Sequence, residues 1–169
     1  MKWITRERPK IDRIACPWLI ARFIDQTPEF IFAPAAEVPR LAKELSAIPF
    51  DIEGVELSHD GPNCTFDALM AKYHLDDPAL QELATIVRGA DTARVDLAPQ
   101  AAGLLAISLG LSHNFPDDHE QLRHGFVLYD ALYAWSRYVH SETHTWNPQR
   151  VVTAVVEGVV TIRQGKQAG

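Results

Sequence analysis

The chain has 169 residues, 47% of them hydrophobic and 22% charged, with a formal net charge of −6. That suits one soluble domain with a real core, and the negative charge argues against direct binding to nucleic acid. No apolar run reaches the length of a membrane span, and Met1 to Lys10 is charged with no apolar signal core, so the expected location is the cytoplasm. In that compartment Cys16 and Cys64 are expected as thiols rather than as a disulfide.

Lys2 to Thr5 reads as a short strand, followed by a charged link ending near Pro9. Cys16 precedes Pro17, and the residue before a proline is pushed away from helical angles. The sequence therefore predicts Cys16 as an N-cap, Pro17 as the first helical residue and Trp18 to Ile24 as the helix. A thiol at an N-cap faces unpaired N–H groups and the positive end of the helix dipole, and both lower its pKa. Arg13, in one turn with Asp12, would add positive charge. Cys16 is thus a candidate nucleophile or metal ligand, assisted by Arg13; the plainer alternative is a small buried hydrophobe.

Glu29 to Ala33 reads as a strand, Glu37 to Leu45 as a helix, and Ala47 to Ile52 as a strand that Pro49 confines to an edge. This alternation suggests a small α/β layer. Gly54 turns the chain into Val55 to Ser58, and Asp60-Gly61-Pro62 is a strong turn signal. His59 lies just before that turn, a place suited to metal ligation or acid–base chemistry, or simply to a solvated histidine. Thr65 is expected to cap a helix whose apolar face carries Phe66, Leu69, Met70 and Tyr73. Pro78 to Val87 reads as the next helix, closed by Gly89. Asp91, just beyond, is either an Asx turn or a carboxylate ligand.

Asp96 to Tyr138 reads as two long helices joined by a polar corner, Ser112 to Pro116. The first has little polarity on any face and is expected to be buried nearly all round. The second opens on Asp117 and Asp118, where the dipole favours carboxylates. The corner gathers the ligand-type side chains of His113, Asp118, His119, Glu120 and His124. Asp130, isolated in an apolar run, is expected to be an internal hydrogen-bond anchor, with Tyr133 as partner. The HSETH stretch at 140–144 has its glutamate one place late for an HExxH zinc site. The expected division is a single domain over 1–147 and a C-terminal extension over 148–169, helical and then frayed.

These elements predict an α+β, mostly helical fold, in which a small N-terminal α/β layer packs on a long antiparallel helical hairpin. DRIACPWLIARFID, GVELSHDGPNCTFDAL, RGADT and DDHEQLRHGFVLYDALYAW together resemble the chromate-resistance ChrB family in its C-terminal domain, over about Lys2 to Tyr138. The resemblance implies a bacterial cytoplasmic protein linked to chromate tolerance. Longer members carry an N-terminal DNA-binding part and act as chromate-responsive regulators. A chain starting directly at the C-terminal domain is expected to keep only a sensing or metal-handling body.

Three functions compete. In the first, Cys16, His59, Asp91 and His119, with Asp118 or Glu120, converge between the layer and the hairpin on a divalent metal. A mixed sulfur, nitrogen and oxygen set suits zinc or iron. In a variant of this reading, Arg13 and the helix beginning at Pro17 hold a small oxyanion such as chromate or sulfate. The second function is an enzyme using Cys16 for sulfur transfer or redox chemistry. The third is a non-catalytic module forming a homodimer through the hairpin and the tail.

Overall fold

The computed structural model describes residues 1–143. The extension expected at 148–169, and His144 of the HSETH stretch, lie outside the described residues. Strand β1 (Lys2–Arg6) is the middle of a three-stranded sheet of order β2-β1-β3, and both β2 (Glu29–Ala33) and β3 (Ile48–Pro49) run parallel to it. Trp3, Ile4 and Thr5 are all buried, as a central parallel strand covered on both faces requires. Trp3 sits opposite Phe30 on one side and Ile48 on the other. Pro49 has no N–H to add to a ladder, so β3 is a short edge strand rather than the full Ala47 to Ile52 expected.

Among the described residues six α-helices make the fold mostly helical: α1 (Asp12–Leu19), α2 (Val38–Leu45), α3 (Thr65–Lys72), α4 (Pro78–Asp91), α5 (Ala101–Asn114) and α6 (Asp118–Ala134). Helix α1 connects β1 to its neighbour β2, and α2 carries the chain from β2 past β1 to β3 on the other edge, helical crossovers of the kind parallel strands need. Helix α6 packs chiefly on α1, and α5 chiefly on α4, while α5 and α6 also touch each other. The core gathers Trp3, Trp18, Phe50, Phe66, Leu83 and Tyr129, all fully buried. Trp18 lies 5.9 Å from the Tyr129 ring and 5.8 Å from Tyr133, so α6 meets α1 through aromatic contact.

Several local expectations shift. Helix α1 starts at Asp12, not Pro17, so Cys16 is a mid-helix residue and Pro17 lies inside the helix. Proline cannot supply the N–H that the Arg13 carbonyl would accept, and the chain widens into a π-helical stretch, Ile20–Ile24, soon after. Cys64, not Thr65, caps α3, its N–H donating to the Asp67 carboxylate at 3.0 Å. Helix α4 runs past Gly89 to Asp91, because a side chain at 89 would meet Ala101 Cβ at 2.9 Å; the glycine allows close packing rather than a cap. Asp130 is half exposed rather than internal, and its carboxylate accepts from Trp18 Nε1 of α1 at 2.8 Å and from Arg22 of the following π-helical stretch at 2.9 and 2.7 Å. Tyr133 donates to Asp77 instead, at 2.6 Å.

Helix α5 is not buried all round. Ala101, Leu104, Ser108 and Ser112 face the core, and Ile107 and Leu109 stay nearly half exposed on a face without charge. No helix among the described residues is long and apolar enough to cross a membrane.

Two glycines on these helices should respond in opposite ways. A Cβ at Gly125 would lie 2.2 Å from Ile14 Cγ2, where α6 crosses α1, whereas one at Gly103 meets nothing within 4 Å. Gly125→Ala is expected to destabilise the protein by about 1–3 kcal/mol in urea unfolding, through overpacking. Gly103→Ala is expected to stabilise it by roughly 0.5–1 kcal/mol, through helix propensity alone.

Candidate metal centre

In open parallel sheets, ligands collect beyond the carboxyl ends of the strands, where successive connections leave in opposite directions. Here β1 is followed by a connection to one side, and β2 by a connection that crosses to the other, so that point lies between β1 and β3. Asp12 opens α1 a few residues after β1, and Asp51 follows β3 directly. His59 lies in the loop from β3 to α3, and Asp91 is the last residue of α4. The four side chains meet there. His59 Nε2 is 3.0 Å from Asp91 Oδ2, 3.5 Å from Asp51 Oδ1 and 3.6 Å from Asp12 Oδ2.

Each carboxylate is held by its surroundings. The backbone N–H of Thr65, at the N-terminus of α3, donates to Asp12 Oδ2 at 2.6 Å. Asp12 N–H donates to Asp91 Oδ1 at 3.4 Å, which ties α1 to the end of α4. Thr65 Oγ1 donates to Asp51 Oδ1 at 3.0 Å, and Arg6 and Arg13 reach Asp51 Oδ2 at 3.1 and 3.3 Å. Asp51 is itself left-handed at φ 50°, and Ile11, just before Asp12, has φ 27°. A β-branched residue there is a genuine strain, of the kind that clusters at functional sites.

Burial, and then the nearby Asp91 and Asp51, pushes the Asp12 carboxyl well above the usual carboxylate value. Burial and then Asp51 also raise Asp91, against the opposing pull of His59. Asp12 is 1% exposed and its Oδ1 has no hydrogen-bond partner among the described residues. One ligand atom each from Asp12, His59 and Asp91 lies within 4.8 Å of the others. Metal–oxygen and metal–nitrogen bonds of about 2.1 Å put neighbouring ligand atoms roughly 3.0–3.4 Å apart, close to what is seen around His59. The donor set therefore fits a divalent cation. His59, 41% exposed, faces an open cleft of ≈840 Å³ whose lining includes Arg6, Asp51 and Ser58, so one side of the centre is reachable from solvent.

Of the residues singled out from sequence, His59 and Asp91 belong to this group, Arg13 borders it through Asp51, and Cys16, Asp118, His119 and Glu120 are not part of it. Cys16 is fully buried in mid-helix, and burial, with Asp12 next, raises its thiol far above the ordinary value. The N-cap placement that favoured a thiolate does not hold: the Cys-Pro rule misplaced the helix start, and the cysteine is buried in mid-helix, as the plainer reading has it. Arg13 faces Asp51 rather than the thiol. Asp118 accepts the Arg8 backbone N–H, Glu120 donates its N–H to Asp117, and His119 packs edge-on against Phe32 at 5.4 Å. Sequence reading missed Asp12 and Asp51 as site members. Asp12 was visible only as a neighbour of Arg13; its position after a strand and before a helix was the available signal.

The small parallel sheet, the helices around it and the acidic group at its strand ends define a mostly helical α+β domain with a polar centre at the β1/β3 switch. Residues 3–136 match the family model "ChrB, C-terminal domain", and the chain belongs to that family. Over 134 residues it is 34% identical to "Protein ChrB" of Cupriavidus metallidurans, an alignment covering 78% of this chain and 40% of that protein. The chain thus spans well under half the length of that curated relative. No solved structure matches it.

The raised carboxyls fix the sign of a pH effect. Above the ordinary value of 3.8, the folded metal-free protein holds protons that the unfolded chain releases, so stability falls as pH rises through the raised Asp12 and Asp91 values. Asp25, Asp77 and Asp130 are shifted down and act below 3.8, outside that window. Denaturant unfolding in chelator should therefore show a slope against pH that flattens in Asp12→Asn, a variant that keeps an acceptor for the Thr65 N–H.

Proposed function

We propose that this chain is a metal-binding body of the chromate-resistance ChrB type, a cytoplasmic sensor or accessory domain that holds a divalent cation through Asp12, His59 and Asp91. The observation that carries the reading is the convergence of one ligand atom from each of these side chains within 4.8 Å, on a buried Asp12 carboxylate whose Oδ1 has no partner among the described residues. A buried carboxylate with one oxygen unpartnered, close to two other carboxylates, is costly, and a cation offsets that cost directly. Family membership points to a chromate-resistance-related role. The α/β layer, resting on α5 and α6 as an antiparallel pair, is the frame we propose for the site.

With Cys16 outside the group, the donors are oxygen and nitrogen, which keeps zinc and iron in play and removes the preference for soft metals. Three protein ligands and a solvent-facing side leave room for a further ligand, as in sites that act on what they bind. The cation is the resident group, and its contribution is positive charge that polarises or binds an anionic ligand. The chain's own residues hold it, keep the Asp12 side dry and present the cleft.

A second reading, direct oxyanion binding, is favoured by Arg6 lining the same cleft as His59. Charge decides against it as the first choice. Asp12, Asp51 and Asp91 surround the point where an anion would sit, and Arg6 and Arg13 are already engaged with Asp51. Without a cation, an anion meets more negative than positive charge there.

Metal analysis of protein purified without chelator, followed by calorimetry with Zn²⁺ and Mn²⁺, tests the reading. His59→Ala and Asp91→Asn are expected to weaken binding at least about tenfold, on the scale of lost ligand contacts, and Cys16→Ser to leave it unchanged. At a hundredfold excess over Kd, the metal should stabilise the fold by about 2.7 kcal/mol. Chromate binding to chelator-treated protein with no metal binding would instead establish the second reading.

A further inference from the structure

The connection from β1 to α1 delivers Asp12 to the centre, and its backbone is in an unfavourable state. Arg8 has φ 55° and Ile11 has φ 27°. Such a backbone state is costly and persists only where its surroundings over-determine it. The surroundings here are the end of α5 and one face of α6. The Arg8 backbone N–H donates to both oxygens of Asp118 at 3.2 Å. Its guanidinium donates to the carbonyls of Ser112, Phe115 and Pro116, at the C-terminus of α5. Gln121 Nε2 donates to the Pro9 carbonyl at 2.7 Å, and Tyr129 hydroxyl to the Ile11 carbonyl at 3.4 Å. Asp118, Gln121, Gly125 and Tyr129 recur at the spacing of one helix face, and Gly125 is where that face meets Ile14 of α1.

Gln121 is the residue that packing alone does not explain. It is fully buried, and its Oε1 has no partner among the described residues. An unsatisfied buried amide oxygen carries a desolvation cost that leucine or methionine would avoid. What the glutamine supplies is a donor to the Pro9 carbonyl, which lies within the strained connection. Pro9 itself has no N–H, so the carbonyl is the group by which that residue can be held.

We propose that Gln121, together with Asp118, is a positioning residue for the metal centre, acting through the Arg8–Ile11 backbone to set Asp12, so that the α5–α6 corner and the cation site are energetically coupled. The inference rests on Asp12, His59 and Asp91 being the cation site. It gives the acidic corner a role that needs no direct ligation: Asp118 aims a ligand from a distance. Coupling of this kind is reciprocal. Metal binding must therefore tighten the corner as much as the corner favours metal binding.

The test uses the full chain, with Zn²⁺ and Mn²⁺ as probes in calorimetry and amide hydrogen exchange as a second readout. Gln121→Met is expected to weaken binding about tenfold, the scale for groups that orient metal ligands. Asp118→Ala, at a partly exposed position, should also weaken it, and Asp118→Asn, which keeps an acceptor for the Arg8 amide, should recover most of the loss. Tyr133→Phe removes another α6 hydrogen bond remote from the connection and should leave affinity unchanged. In the wild type, metal should slow exchange at Arg8 and Ile11. If His59→Ala abolishes binding while Gln121→Met and Asp118→Ala bind like wild type, the coupling is overturned and the cation site stands. If His59→Ala binds like wild type, the site assignment fails and the coupling falls with it.

Discussion

The short hydrogen bond from the Thr65 backbone N–H to the buried Asp12 carboxylate holds the polar part of this molecule together. It places a negative charge at the N-terminus of α3, where unpaired N–H groups and the helix dipole receive it. It also joins the start of α1 to the start of α3 beyond the strand ends. Because Thr65 spends its N–H on Asp12 and its hydroxyl on Asp51, one residue organises two of the carboxylates. That arrangement depends on Cys64 taking the capping position; a cap at Thr65 would turn its side chain toward its own helix.

The energetic logic is one of concentrated cost. A desolvated acidic group, a β-branched residue at positive φ and an unpaired amide oxygen all lie along one path from the α5–α6 corner to the sheet end. Other departures are scattered, since Ser46, His74 and Ala93 also have positive φ and the Ser108 hydroxyl has no partner among the described residues, while Asp77 caps α4 by accepting from the Ala79 N–H at 2.9 Å and Asp130 is paired with Arg22 and Trp18.

Much of the fold could be read from residue patterns. Lys2 to Thr5 and Glu29 to Ala33 are where β1 and β2 lie, and Pro78 with its preceding aspartate starts α4 as a proline-led helix should. The errors have physical causes. Cys-Pro suggested a helix start, but packing of α1 between α3 and α6 carried the helix through the proline. Gly89 looked like a cap because nothing in sequence reveals that Ala101 comes within 2.9 Å of where its side chain would be. The apolar α5 looked buried, yet apolar residues alone do not say which faces find partners. At the site, His59 and Asp91 stood out by chemistry, while Asp51 sat inside a strand-like run and Asp12 inside a presumed loop. Their significance comes from strand order, which local patterns do not carry.

The centre is assembled from four segments, and the contact between Asp12 and Asp91 spans 79 positions of chain. Loops of that length close late, after local helices have formed. An unfolded or half-folded chain therefore offers isolated carboxylates and imidazoles, with no chelating geometry. Occupancy of the centre by an ion would then report that the last long-range docking step is complete, and a nascent chain would stay inert toward ions until that moment.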